Sequence, residues 1–151
     1  MKIVRLEKSD IKPALELVWT VFQEFDAPDY LQQGIEEFRK FITYHTMIEK
    51  FDKGELSFWG CFEQNELTGI IATIAMTHIC LLFVKKEFHR RGIARKLFLS
   101  VLNESTLQNV KRITVNSSPY AVDFYHRLGF VDTDVEQTVK GIRFTPMMFK
   151  I

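Results

Sequence analysis

Apolar positions along this chain change their period several times, and each change marks an element. Residues 2–6 alternate, with Ile3 and Arg5 on one side and Val4 and Leu6 on the other, which predicts a short strand. From Ala14 the spacing becomes helical, through Leu15, Val18, Trp19 and Phe22. Ser9-Asp10 offers an N-cap and Pro13 sits in the first turn, while the turn cluster Asp26-Ala-Pro-Asp29 stops this helix near Phe25. A second helical region covers about 35–50 through Phe38, Phe41, Ile42 and Met47, and Asp52-Lys-Gly54 breaks it. The spacing then returns to that of strands. Residues 56–62 and 67–76 predict a hairpin that turns at Glu63-Gln-Asn-Glu66.

The stretch that follows organises the rest. Residues 77–84 predict a central strand, and its apolar run 79–84 is rich in branched residues and bounded by charge. Ile93, Leu97 and Val101, with Phe98 and Leu102 alongside, then predict a helix. Residues 111–116 read as another strand. Ser117 or Ser118 caps a helix reaching about Leu128, with Pro119 in its first turn and Gly129 at its end. Residues 130–138 and 142–149 close the chain as two strands joined near Lys140-Gly141. No repeat, linker or low-complexity segment interrupts this order. Strands interspersed with helices indicate an α/β or α+β layer fold, in one domain over 1–151.

Composition narrows the classes. The chain of 151 residues is 46% hydrophobic and 26% charged, with a formal net charge of +1. That balance argues against a general nucleic-acid binder, which needs a clustered basic face. No apolar run approaches the roughly 20 residues of a membrane helix, and Met1-Lys-Ile-Val-Arg-Leu-Glu7 recharges too quickly for a signal peptide. Cys61 and Cys80 lack metal-ligand spacing, so free thiols in a cytoplasmic setting, and no metal, are expected. Fourteen phenylalanines predict that parts of the core or a pocket are aromatic.

The candidate chemistry starts between the central strand and its helix, at His89-Arg-Arg-Gly-Ile-Ala94. Backbone N–H groups at a helix start lack intrahelical partners and the dipole there favours anions. Gly92 lets an anion approach the backbone, and Arg90 and Arg91 add charge. This is either a pyrophosphate cradle or an ordinary connection with surface arginines. The spacing His89-x-x-Gly92-x-Ala94 resembles the acyl-CoA motif of the GNAT superfamily of N-acetyltransferases, Arg/Gln-x-x-Gly-x-Gly/Ala. His89 departs from it at the first position. A second segment, Ala121-Val-Asp-Phe-Tyr-His-Arg-Leu-Gly-Phe130, is similar to the family's Ala-x-x-x-Tyr-x-x-x-Gly-Phe, in the family's order.

The resemblance implies a mixed, mostly antiparallel sheet of about six to seven strands flanked by about four helices, splayed open beside the central strand. It implies acetyl-CoA as co-substrate. The backbone of Leu82, Phe83 and Val84 would pair with its pantetheine arm, and the turn His89, Arg90, Arg91, Gly92, Ile93, Ala94 and Arg95 would hold its pyrophosphate. Tyr125 corresponds to the tyrosine that protonates the leaving thiolate. Where many members carry a cofactor-touching asparagine this chain has Ser118, and Asn116 is the nearby amide, either a contact or a plain strand-end residue.

The general base is the open position. An amine of pKa near 10.4 is only about one part in 10³ neutral at pH 7, yet 69–84 holds no acidic residue. His78 has the right ordinary pKa for a base, and Cys80 shares its face if the strand is regular. A strand-end histidine, a water chain or an acceptor of low pKa are the other readings. Cys80 as an acyl carrier lacks an orienting carboxylate, so a structural thiol is expected. Tyr30, Phe38, Phe41 and Tyr44 are expected to line the acceptor pocket, and Glu49, Asp52 and Glu55 either read a cationic acceptor or are solvated.

The expected function is therefore transfer of acetyl from acetyl-CoA to a primary amine, by direct attack in a ternary complex. The acceptor is a small-molecule or peptide amine, with no nucleic acid and no membrane as partner, and assembly as a homodimer is left open. The alternative is a non-catalytic acyl-CoA-binding or regulatory domain.

Overall fold

The alternation at the start of the chain forms β1 (Lys2–Arg5), whose Ile3 and Val4 pack into opposite layers of the core. The computed structural model describes residues 1–151. After one turn of 3-10 helix, the helical stripe becomes α1 (Ile11–Phe25), with Ile11, Ala14, Leu15, Val18 and Phe22 buried. Asp10 stands at its N-cap, but the carboxylate reaches back and accepts the Glu7 N–H at 2.9 Å.

The single helix expected over 35–50 is two, α2 (Gln32–Phe41) and α3 (Tyr44–Asp52). Thr43 is extended between them, and its hydroxyl accepts the Thr46 N–H at 3.4 Å as the N-cap of α3. A local side-chain bond thus overrides a continuous apolar spacing.

The hairpin is β2 (Leu56–Glu63) and β3 (Glu66–Ile74), turned by Gln64 and Asn65 in the left-handed region at φ 49° and 68°. Two positive φ values at the centre of a hairpin match the strand twist. β4 (His78–Val84), α4 (Ile93–Leu107), β5 (Arg112–Ser117) and α5 (Val122–Leu128) follow. The strand expected over 130–138 is instead β6 (Val131–Asp132) and β7 (Gln137–Val139), both paired to β8 (Ile142–Lys150). Between them Asp134 accepts the Val135 N–H and the Gln137 side-chain amide, which closes a local turn. The eight strands and five α-helices exceed the expected counts by these splits.

The sheet runs β1-β2-β3-β4-β5-β8-β6, with β7 also on β8. Every pairing is antiparallel except β4 with β5, which run parallel and pair only at His78 with Thr114 and Ile79 with Val115. Past Ile79 the two strands part. A register shift against β3 lies at the same point: Ile79 faces Thr73 and Leu81 faces Ala72, so Cys80 is the extra residue. Such a bulge bends its strand and increases the local twist. Cys80 and Leu81 consequently both pack toward α1. Two core layers flank the sheet, one under α1–α3 (Val18, Met47, Phe58, Ile70), one under α4 and α5 (Ile71, Leu97, Phe98, Tyr125). No helix is long and apolar enough to cross a membrane.

Candidate active site

Where β4 and β5 part, a cleft of about 890 Å³ opens between the two core layers. Its floor is the free side of β4. Leu82, Phe83 and Val84 pair with Ile71, Ile70 and Gly69 of β3 on one edge only, so the backbone groups of the other edge face the cleft. One lip is the turn into α4, and the other runs from the end of β5 to α5. The end of α1, with Tyr30 and Phe38, closes the top.

The seven residues of the basic turn are brought together but play unequal parts. Gly92 is the N-cap of α4 at φ 77°, and a Cβ built there meets nothing within 4 Å. Glycine is thus favoured by the backbone conformation, and the space beside it is open to a ligand. The first N–H groups of α4 point into that space without intrahelical acceptors. Arg90, Ala94 and Arg95 line the cleft, and Ile93 is nearly all core at 2% exposure. Arg91 does not line it, because its guanidinium lies over the Phe88 ring, 5.0 Å from the centroid. His89 forms part of the wall. Its Nε2–H donates to the Val84 carbonyl at 2.7 Å, which fixes the tautomer, and its ring packs 5.0 Å from Phe25.

At the other end, α5 carries Tyr125 inward, wedged between Phe124 and Phe130 with 4% exposure. Burial first, then the nearby Asp26 and Cys80, hold its phenol well above the ordinary tyrosine value. Asp26 was legible only as a turn residue, and it is the buried cleft carboxyl that the sequence reading missed. Its N–H bonds to the Phe22 carbonyl at 2.9 Å, so it extends α1 by one position and falls on the buried stripe four residues after Phe22. It is 8% exposed and lines the cleft. Burial raises its carboxyl from 3.8 to about 7; the Ser118 hydroxyl beside it pulls the other way, and Asp29 adds a small push upward. An acid on an otherwise apolar stripe was the available signal.

Asn116 and Ser118 both line the cleft, at the exposed end of β5 and beside Asp26. His78 is not brought to this group. Its Nδ1 is 2.8 Å from the Thr114 hydroxyl at the closed end of the β4–β5 seam, it lies outside the cleft lining, and burial lowers its pKa. The Cys80 thiol donates to the Ala72 carbonyl at 3.5 Å, and burial pushes it up to about 12, too high for a thiolate nucleophile. Tyr30 and Phe38 line the cleft as expected, whereas Phe41 packs in the α1–α3 layer and Tyr44 is 44% exposed. Glu49 pairs with Lys53 and Asp52 with Lys8, and Glu55 too lies outside the lining.

Residues 26–151 match the family model described as the acetyltransferase (GNAT) domain, and the chain belongs to this family. The fold recurs in solved structures. A GCN5-related N-acetyltransferase from Rhodopseudomonas palustris superposes with a TM-score of 0.85 at 16% identity, over 99% of this chain and 95% of that one. The PaiA N-acetyltransferase from Thermoplasma acidophilum, in complex with coenzyme A, gives 0.81 at 20% identity over 99% and 98%. An aminoglycoside 6′-N-acetyltransferase complexed with coenzyme A gives 0.69 at 14% over 99% and 97%. At these identities the likeness is one of fold. No protein of curated function matches the sequence.

Proposed function

We propose that this chain, as one domain over 1–151, transfers the acetyl group of acetyl-CoA to a primary amine by direct attack. The observation that carries the reading is the pairing of two ends in one cleft: an open, basic helix N-terminus at one, Asp26 with Tyr125 at the other. The co-substrate supplies the activated acetyl thioester, and two of its coenzyme-bound neighbours in fold share this sheet. Gly92, the first turn of α4, Arg90 and Arg95 bind the pyrophosphate. The free edge of Leu82–Val84 receives the pantetheine arm as an added strand.

Asp26 takes one proton from the incoming ammonium and so produces the amine form that can attack. A carboxyl near 7 suits this, since it is ionised at working pH and still basic enough to accept a proton. The nitrogen–carbon bond then forms and the carbon–sulfur bond breaks. Tyr125, kept protonated by its surroundings, gives its proton to the departing sulfur and recovers one from the nitrogen as the amide forms. One proton leaves through Asp26, so the step balances. All of these groups lie on one chain, so the chemistry does not call for a homodimer. The non-catalytic alternative drew its support from the missing acidic base, and Asp26 removes that support. The test is thiol release from acetyl-CoA across an amine panel, with product mass measured. Amine-dependent release is expected; tight CoA binding without release on any amine would favour the binding domain.

A further inference from the structure

The acceptor end of the cleft has a simple charge map. Asp26 is its one buried carboxylate. Asp29 and Glu136, outside the cleft lining, share Arg143, at 3.8 and 3.1 Å. Asp123 also lines the cleft but stands exposed on α5. The ammonium of a ligand lying against Asp26 therefore meets the one carboxylate of the cleft that is buried.

The rest of the wall is aromatic. Phe38 stacks on the buried Phe22 at 4.0 Å between centroids, Tyr30 meets Phe22 edge-on at 5.3 Å, and Phe83 stands 6.0 Å from Phe38. Tyr30, Phe38 and Phe83 are only half-buried and turn their remaining surface to the cleft. This wall is held shut behind. The Leu31 N–H donates to the Gly141 carbonyl at 3.1 Å, and Gly34 lies backbone to backbone against Gly141. No side chain fits between α2 and the β7–β8 turn there, so the backing of the wall is close-packed.

We infer that the acceptor is a small primary amine on an aromatic or similarly flat apolar body, its ammonium on Asp26 and its body against Tyr30, Phe38 and Phe83. This rests on the acetyl-transfer reading and deepens it. Polyamines and aminoglycosides, and the backbone of an alanine-initiated peptide, offer no flat apolar face to lay on Tyr30, Phe38 and Phe83.

The experiment compares 2-phenylethylamine, spermidine, kanamycin and an alanine-initiated peptide as acceptors, reading kcat/KM from thiol release. The arylalkylamine should lead the other three by at least tenfold. Phe38→Leu and Tyr30→Leu should each raise its KM several-fold while leaving the KM for acetyl-CoA unchanged, a split that general destabilisation would not give. Equal or better turnover of spermidine, kanamycin or the peptide overturns the inference and leaves acetyl transfer standing. No thiol release with any amine, while calorimetry shows CoA bound, overturns the transfer reading and this one with it.

Discussion

Replacing Asp26 with asparagine keeps the shape of the side chain and removes its titration. In the unfolded chain this carboxyl ionises near 3.8, whereas in the fold it holds its proton to about 7. Between those values the folded state binds more protons than the unfolded one, so this group lowers stability as pH rises from about 4 to 7, and the loss levels off above that. At roughly 1.4 kcal/mol per pH unit the full effect is about 4 kcal/mol, an upper bound because local water relaxes some of it. Asp26→Asn should therefore be more stable than the parent at pH 8, by one to a few kcal/mol on that same scale. The advantage should shrink toward nothing near pH 4. Urea unfolding at a series of pH values reads this directly. In the same variant kcat/KM should fall by about 10²–10⁴ and lose the acidic limb that the parent shows near pH 7. An Asn variant less stable than the parent at pH 8 would mean that hydrogen bonds, not desolvation, dominate at Asp26, and the base assignment would fall with that.

The other expectations are briefer. Tyr125→Phe keeps the ring between Phe124 and Phe130, so turnover should drop by about 10²–10⁴ with acetyl-CoA affinity within a few-fold; full turnover on a good acceptor would sink the acid assignment. Gly92→Glu puts a side chain and a negative charge at a φ of 77° beside the cradle, so CoA affinity by calorimetry should weaken more than about tenfold. Cys80→Ala should keep most activity, and mass spectrometry with acetyl-CoA alone should show no acetyl adduct on Cys80 in the parent. His78→Gln should leave the acidic limb where it is, because His78 sits against Thr114 outside the cleft; a flattened limb would return the base to it.

What could be read from the chain was whatever a local period or a short motif encodes. β1, α1, the β2–β3 hairpin and α4 follow from spacing, because each buries one face against the sheet. The split at Thr43 was not visible, since one hydroxyl cap leaves the apolar spacing of 35–50 intact. The break at 133–136 hides the same way, in Asp134's bonds to its neighbours. At the site, Gly92 and Tyr125 were legible from motif position. His89 was assigned to phosphate by its place in the motif and Arg91 by its charge, and only the fold shows His89 tied to Val84 and Arg91 lying on Phe88. Asp26 was the reverse case. Its chemistry comes from burial by residues far away in sequence, and no local rule measures that.

The bulge at Cys80 has a consequence for where the sheet keeps an unpaired edge. An unpaired strand edge at the rim of a sheet is a template for the next molecule, and proteins commonly blunt it with charge or proline. Here the partly unpaired strand is β4, in the middle of the sheet, with β3 bonded on one side and β5 drawn away on the other. Its open backbone groups lie between two walls of the same molecule, inside the cleft that both core layers flank. A neighbouring chain cannot lie alongside them, although a slender ligand can. One residue of misfit accompanies an interior edge that a slender ligand can reach and a neighbouring sheet cannot.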